Sequence, residues 1–121
     1  MRRAVLALAA ALYGLLPGAA PAGEMVIALP GAANPETIKA SYACAGFGTV
    51  EATYLNAPPV ALATLSFKGE FQVLSNVLSG SGARYAGGPY VWWTKGRAAD
   101  LYDLRQGESA APIASCMEKG S

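Results

Sequence analysis

From about residue 38 onward, apolar and polar side chains alternate with a period of two. Val50, Ala52 and Tyr54 fall on one side of Glu51 and Thr53, and Ala61, Ala63, Leu65 and Phe67 fall on one side of Thr64 and Ser66. Both runs predict strands with one buried face. A third run, Phe71 to Leu78, follows after Lys68-Gly69-Glu70, which reads as a three-residue hairpin loop with glycine at its centre. Pro58 and Pro59 separate the first two runs and rule out a helix there. Further strands are predicted at Tyr90 to Thr94, Ala98 to Leu104 and Ile113 to Cys116, with Tyr85 to Gly87 as a short returning segment turned by Gly87-Gly88-Pro89. No stretch sustains a 3.6-residue period, although Arg97 to Leu104 is compatible with a short helix. Many short strands joined by tight turns predict an all-β fold, an antiparallel sheet closed into a barrel or folded into a sandwich.

The segment before this pattern is of another kind. Met1-Arg2-Arg3, an apolar run of 13 residues from Ala4 to Leu16, and Ala20-Pro21-Ala22 form the three parts of an export signal in order. The run is shorter than the roughly 20 residues that span a bilayer. Residues 1–22 are therefore expected to be a removable signal peptide, 23–37 an irregular leader with a short strand at Met25 to Leu29, and 38–121 a single β domain. No cysteine lies near the cleavage point to carry a lipid, so the mature protein is expected to be soluble and to have no membrane anchor.

Export changes the meaning of the charge and of the cysteines. Without Arg2 and Arg3 the balance is seven Lys and Arg against eight Asp and Glu, a net −1 rather than +1. That is too acidic for a surface that neutralises nucleic-acid phosphates. The chain has no histidine and two cysteines, which excludes His/Cys zinc sites, Ser-His-Asp triads and Cys-His dyads, and leaves no metal or cofactor expected. In an oxidising compartment Cys44 and Cys116, 72 positions apart, are expected to form a disulfide. Closing so long a loop stabilises a fold by about 4 kcal/mol in the chain-entropy model.

Two loops stand out from the scaffold: Ser79-Gly80-Ser81-Gly82-Ala83-Arg84-Tyr85 and Trp92-Trp93-Thr94-Lys95-Gly96. Read alone, Ser81 is compatible with a plain turn residue and Lys95 with a solvated turn lysine. Arg84 is compatible with an internal or an interface partner, and Tyr85 with packing at a barrel mouth. Trp92 and Trp93 are adjacent and point to opposite faces of a strand, so one is expected in the core and the other half exposed. Two reversals of the chain bring Lys95 to the same end of the sheet as Ser81, on strands two apart and so about 10 Å from each other.

Taken together, these loops with Tyr42-Ala43-Cys44, Val50, Tyr54, Asn56, Ala63, Ala99, Leu101 and Cys116 resemble the MliC/PliC group, inhibitors of c-type lysozyme from Gram-negative bacteria. The resemblance runs from about Tyr42 to Cys116 and implies an antiparallel barrel of about eight strands braced by one disulfide. It further implies that c-type lysozyme is the partner, and that Ser81 and Lys95 enter its active site and meet its two carboxylates, with Gly82, Arg84, Tyr85 and Thr94 around them. The missing lipid-bearing cysteine points to the periplasmic type. The chemistry suits such a target, since a retaining glycosidase holds two carboxyl groups about 5 to 5.5 Å apart. An ammonium can bind the ionised one and a hydroxyl can pair with the protonated one.

Two other classes compete with this expectation. A Ser81/Lys95 dyad is the one nucleophile constellation available to a hydrolase, but Ser79 and Ala83 stand where a G-x-S-x-G elbow has its outer glycines. A periplasmic glycan-binding or structural domain would use Trp93 and Tyr90 as a sugar-stacking surface.

Overall fold

The computed structural model describes residues 23–31 and 34–120. The expected export signal, residues 1–22, lies outside them. Eight strands are present among the described residues: β1 (Glu36–Cys44), β2 (Gly48–Ala57), β3 (Val60–Phe67), β4 (Glu70–Val77), β5 (Ala83–Gly87), β6 (Tyr90–Lys95), β7 (Ala98–Asp103) and β8 (Ala114–Glu118). Each pairs antiparallel with the next, and β8 returns to β1, closing an all-β barrel as expected. The segment that could have been helical is strand β7, followed by a single 3-10 turn at Leu104–Gln106.

The alternating positions form the core. Trp92, Leu65, Leu74, Leu101 and Val50 are fully buried inside the barrel. The edge of one ring meets the face of the other in Tyr42–Trp92 and Phe67–Tyr90, with centroids 5.0 and 5.1 Å apart, a preferred aromatic geometry. The seam between β1 and β8 is short, running from Tyr42–Glu118 to Cys44–Cys116. Cys44 and Cys116 are bonded there, on facing positions of the seam, so the expected disulfide holds the barrel shut.

Three local expectations need correction. The β3–β4 hairpin has two loop residues, not three, because Glu70 pairs with Phe67. Lys68 and Gly69 both have positive φ, 48° and 75°, the combination of a type I′ turn, whose twist matches that of the strands. The apolar run Met25 to Leu29 is not a strand; Met25, Ile27 and Leu29 instead line a pocket with Leu55, Val60 and Leu62 of β2 and β3. The first strand begins at Glu36, and the predicted β4 and β8 are each shifted by a residue or two.

The turns divide between two ends. The β2–β3 turn, the β4–β5 loop, the β6–β7 turn at Gly96-Arg97 and the start of β1 share one end. Lys68 and Phe47 lie at the other, where the Lys68 ammonium sits 4.5 Å from the centre of the Phe47 ring.

Candidate functional site

The loop 78–82 between β4 and β5 and the turn after Lys95 lie side by side. Ala83 pairs with Thr94 and Arg84 with Trp93, so the end of the Ser81 loop is brought beside Lys95 by adjacent strands, β5 and β6, rather than by strands two apart as expected. The correction comes from β5, which starts at Ala83 and brings the residues just before it against the end of β6.

Parity along β6 sorts the predicted residues. Tyr90, Trp92 and Thr94 face inward; Trp93 and Lys95 face outward. Trp92 is in the core and Trp93 half-buried, as expected. The Trp93 ring then organises the outer face. The Lys95 ammonium lies 4.8 Å from the ring centroid and the Arg84 guanidinium 5.5 Å, two cation–π contacts on one indole. The same indole donates its N–H to the Ser81 carbonyl at 2.9 Å. Sequence reasoning gave Trp93 no such part, although its i, i+2 relation to Lys95 was visible.

The loop has further ties. Ser79 Oγ donates to the Gly82 carbonyl at 3.2 Å, and Asn76 Nδ2 donates to the Arg84 carbonyl at 3.2 Å. Gly82 has φ +64°; a side chain there would run into the Thr94 carbonyl and come within 2.8 Å of Lys95 Cγ. Glycine is thus required both by its conformation and by the close approach of the two loops. Ser81 and Lys95 side chains are exposed, and among the described residues no carboxylate of this chain pairs with Lys95.

Tyr85 and Thr94 are on the inner side. Tyr85 is buried, its ring 5.7 Å from that of Tyr54. Both Tyr85 and Thr94 line a cavity of about 290 Å³ at the barrel mouth, with Tyr42, Tyr54 and Asn56. There the Tyr42 and Tyr54 hydroxyls are 2.7 Å apart and Trp92 Nε1 donates to Tyr54 at 2.9 Å. Burial is the main reason both hydroxyls are held above the usual tyrosine range. Of the six residues predicted to face a partner, the structure gathers Ser81, Gly82, Arg84 and Lys95 on the outer rim and sets Tyr85 and Thr94 behind it.

The arrangement offers two cations and a hydroxyl on a rim held by hydrogen bonds. It does not form the dyad that a hydrolase would need, since Lys95 is exposed rather than buried and no hydrogen bond joins Ser81 Oγ to it. Nor do Trp93 and Tyr90 share a sugar-stacking surface, because Tyr90 faces inward and is buried. Among the described residues, no group of three His, Cys, Asp or Glu is gathered as a metal ion would require.

Comparison with known proteins bears on the family and the fold. A family described as membrane-bound lysozyme-inhibitor of c-type lysozyme matches residues 42–110. A protein from Cupriavidus necator named membrane-bound lysozyme inhibitor of C-type lysozyme is 40% identical over 92 residues, 75% of this chain and 74% of that protein. One of the same name from Pseudomonas aeruginosa is 41% identical over 95 residues, 77% of this chain and 74% of that protein. Among solved structures, Pseudomonas aeruginosa MliC crystallised in complex with hen egg white lysozyme has a TM-score of 0.69 at 36% identity, covering 83% of this chain and all of that one. PliC from Salmonella typhimurium, described as a periplasmic lysozyme inhibitor of C-type lysozyme, shares the fold, with a TM-score of 0.57 at 24% identity over 69% of this chain and 99% of that one.

Proposed function

The chain belongs to the family of membrane-bound lysozyme inhibitors of c-type lysozyme, and from that premise we propose that it inhibits a c-type lysozyme by seating the Ser81 and Lys95 loops in the enzyme's cleft. The observation that carries the proposal is the Trp93 indole, which joins the two loops into one body: it donates to the Ser81 carbonyl and lies under the Lys95 ammonium. A hydroxyl and an ammonium held in this way need little further ordering to bind. In the complex the ammonium meets the ionised carboxylate of the catalytic pair and the serine hydroxyl meets the protonated one, both at charge-assisted or hydrogen-bonded distance. Gly82 lets the backbone enter a narrow groove, Arg84 sits beside the indole as a second cation, and Tyr85 and Thr94 support the rim from inside.

The protein is a stoichiometric inhibitor rather than an enzyme in this proposal. Its location is the periplasm, in solution after loss of residues 1–22, in contrast to the membrane-bound state in the relatives' names. Both cysteines are joined in the barrel, so neither is available to carry a lipid. The test is residual c-type lysozyme activity on bacterial cell walls after mixing with the purified mature protein. Inhibition at micromolar protein that saturating substrate relieves is expected. Its absence, or its persistence at saturating substrate, would contradict the proposal. Recovery of the protein in the soluble periplasmic fraction, rather than with membranes, checks the location.

A further inference from the structure

Leu78, the residue after β4, is 95% exposed. It stands at the foot of the loop that carries Ser81, three residues earlier, and three residues of extended chain reach at most about 10 Å. Any body that receives Ser81 therefore comes within reach of Leu78.

The loop holds this leucine out rather than letting it fold back. Asn76, two residues before it, is tied by its side chain to the Arg84 carbonyl, and Ser79, immediately after it, is tied to the Gly82 carbonyl. Trp93 fixes the far limb through Ser81. An aliphatic side chain presented on a pinned backbone loses little freedom on binding, and the water it sheds is a direct gain. Of the other exposed apolar residues, Phe71 and Val73 belong to the outward row along β4, away from the loop, whereas Ile38, near the start of β1, lines the cavity at the barrel mouth.

We infer that Leu78 is an apolar anchor of the inhibitory surface, packing against the wall of the enzyme's sugar-binding cleft next to the carboxylates. The inference rests on the proposed function and deepens it. A cleft that binds pyranose rings must offer apolar wall to the carbon faces of the sugars as well as polar groups to their hydroxyls, as ligand sites generally do. Leu78 occupies a stretch of that wall while Ser81 and Lys95 occupy the carboxylates. The polar rim contacts then lie beside an apolar one that excludes water from them.

The experiment compares inhibition constants of the mature protein and four variants against one c-type lysozyme on cell walls. Leu78→Ala is expected to weaken inhibition at least fivefold, and Leu78→Met to stay within about twofold of the parent. Val73→Ala, which removes a half-exposed apolar side chain from the outer face of β4, is expected to inhibit normally. All three keep the parent melting temperature within about two degrees, because these side chains are outside the core. Lys95→Ala in the same assay separates the two levels of the argument. If Lys95→Ala weakens inhibition and Leu78→Ala does not, the anchor is wrong and the proposed function stands. Should neither have an effect, the proposed function falls, and the anchor with it. An equal loss from Val73→Ala and Leu78→Ala would also overturn the anchor, since it would mean general surface stickiness.

Discussion

The indole N–H of Trp93 donates to the backbone carbonyl of Ser81 at 2.9 Å, so the strand that ends in Lys95 also holds the loop that carries Ser81. One side chain thus sets the distance between two groups that come from different turns. Trp93→Phe keeps an aromatic face for Lys95 and Arg84 but removes the donor. A net hydrogen bond is worth about 1 kcal/mol, or roughly a fivefold change in an equilibrium constant. Inhibition of c-type lysozyme by Trp93→Phe should weaken by about that factor with the melting temperature nearly unchanged; full inhibition would show that the loop holds its shape without the indole.

Gly82→Ala tests the contact between the loops themselves. The substitution meets a positive φ and the backbone carbonyl of Thr94 at once, so one loop must move away from the other. A loss of at least about 1 kcal/mol of stability is expected, read as a melting temperature several degrees lower, together with weaker inhibition than that of Trp93→Phe. Unchanged melting and unchanged inhibition would mean that the rim is softer than its geometry indicates.

Much of this was legible in the sequence, and the parts that were not have physical reasons. Strands β2 and β3 show clean alternation because one face of each is buried; β4 has a single buried residue and β6 three in a row, and their turns and aromatic content mark them instead. The start of β1 shows none: Glu36 to Lys39 are exposed, and the strand is held there by its pairing with β2 rather than by a core face. Lys68-Gly69 is not one of the usual two-residue turn pairs, so the true turn length was hidden. Ser81 and Lys95 could be placed at one end by counting reversals, but their joining depends on a side chain to backbone bond from Trp93, which no spacing encodes. Leu78 looked like the last residue of a strand, and only its exposure shows that it lies beyond the rim.

The disulfide should carry a large share of the stability, because the seam it crosses is short. It closes a loop of 72 positions, for which the chain-entropy model gives about 4 kcal/mol and measured losses run from about 2 to 5 kcal/mol. Replacing both cysteines by serine should lower the melting temperature by on the order of 10–20 °C. A drop of only a degree or two would show that strand pairing alone closes the barrel.

Alkaline pH should destabilise the barrel. Burial is the main cause that raises the Tyr42 and Tyr54 hydroxyls above their ordinary value of 10.0, Tyr54 the farther. Above that pH the unfolded chain gives up these protons and the folded chain keeps them. The native state then binds more protons, so stability, complete below pH 10, falls as pH rises toward the folded values. The slope is at most about 1.4 kcal/mol per pH unit for each tyrosine. Melting temperatures measured from pH 9 to 11 should fall, and Tyr54→Phe should flatten the fall while starting from a lower value, since Trp92 and Tyr42 lose a partner. An equally steep fall in that variant would place the alkaline sensitivity elsewhere.

Lys95 gives the sharpest separation between a functional and a structural part. Its ammonium lies over the Trp93 ring and, among the described residues, has no carboxylate of its own chain. The charge is therefore available to an external anion and already oriented toward the rim. Truncation to alanine would leave the enzyme's ionised carboxylate buried without its partner, a loss of about 2 to 5 kcal/mol at such an interface, or at least tenfold in inhibition. Lys68 is the matched control, an exposed lysine that also lies over an aromatic ring, but at the opposite end of the barrel. If ammonium–aromatic contacts mattered only for folding, Lys68→Ala and Lys95→Ala would behave alike. The expected result is that both melt within a few degrees of the parent, Lys68→Ala inhibits normally, Lys95→Ala loses tenfold or more, and Ser81→Ala, which removes one neutral hydroxyl, falls between them. A folded Lys95→Ala protein that inhibits at full strength would remove the carboxylate contact from the mechanism while leaving the family assignment in place.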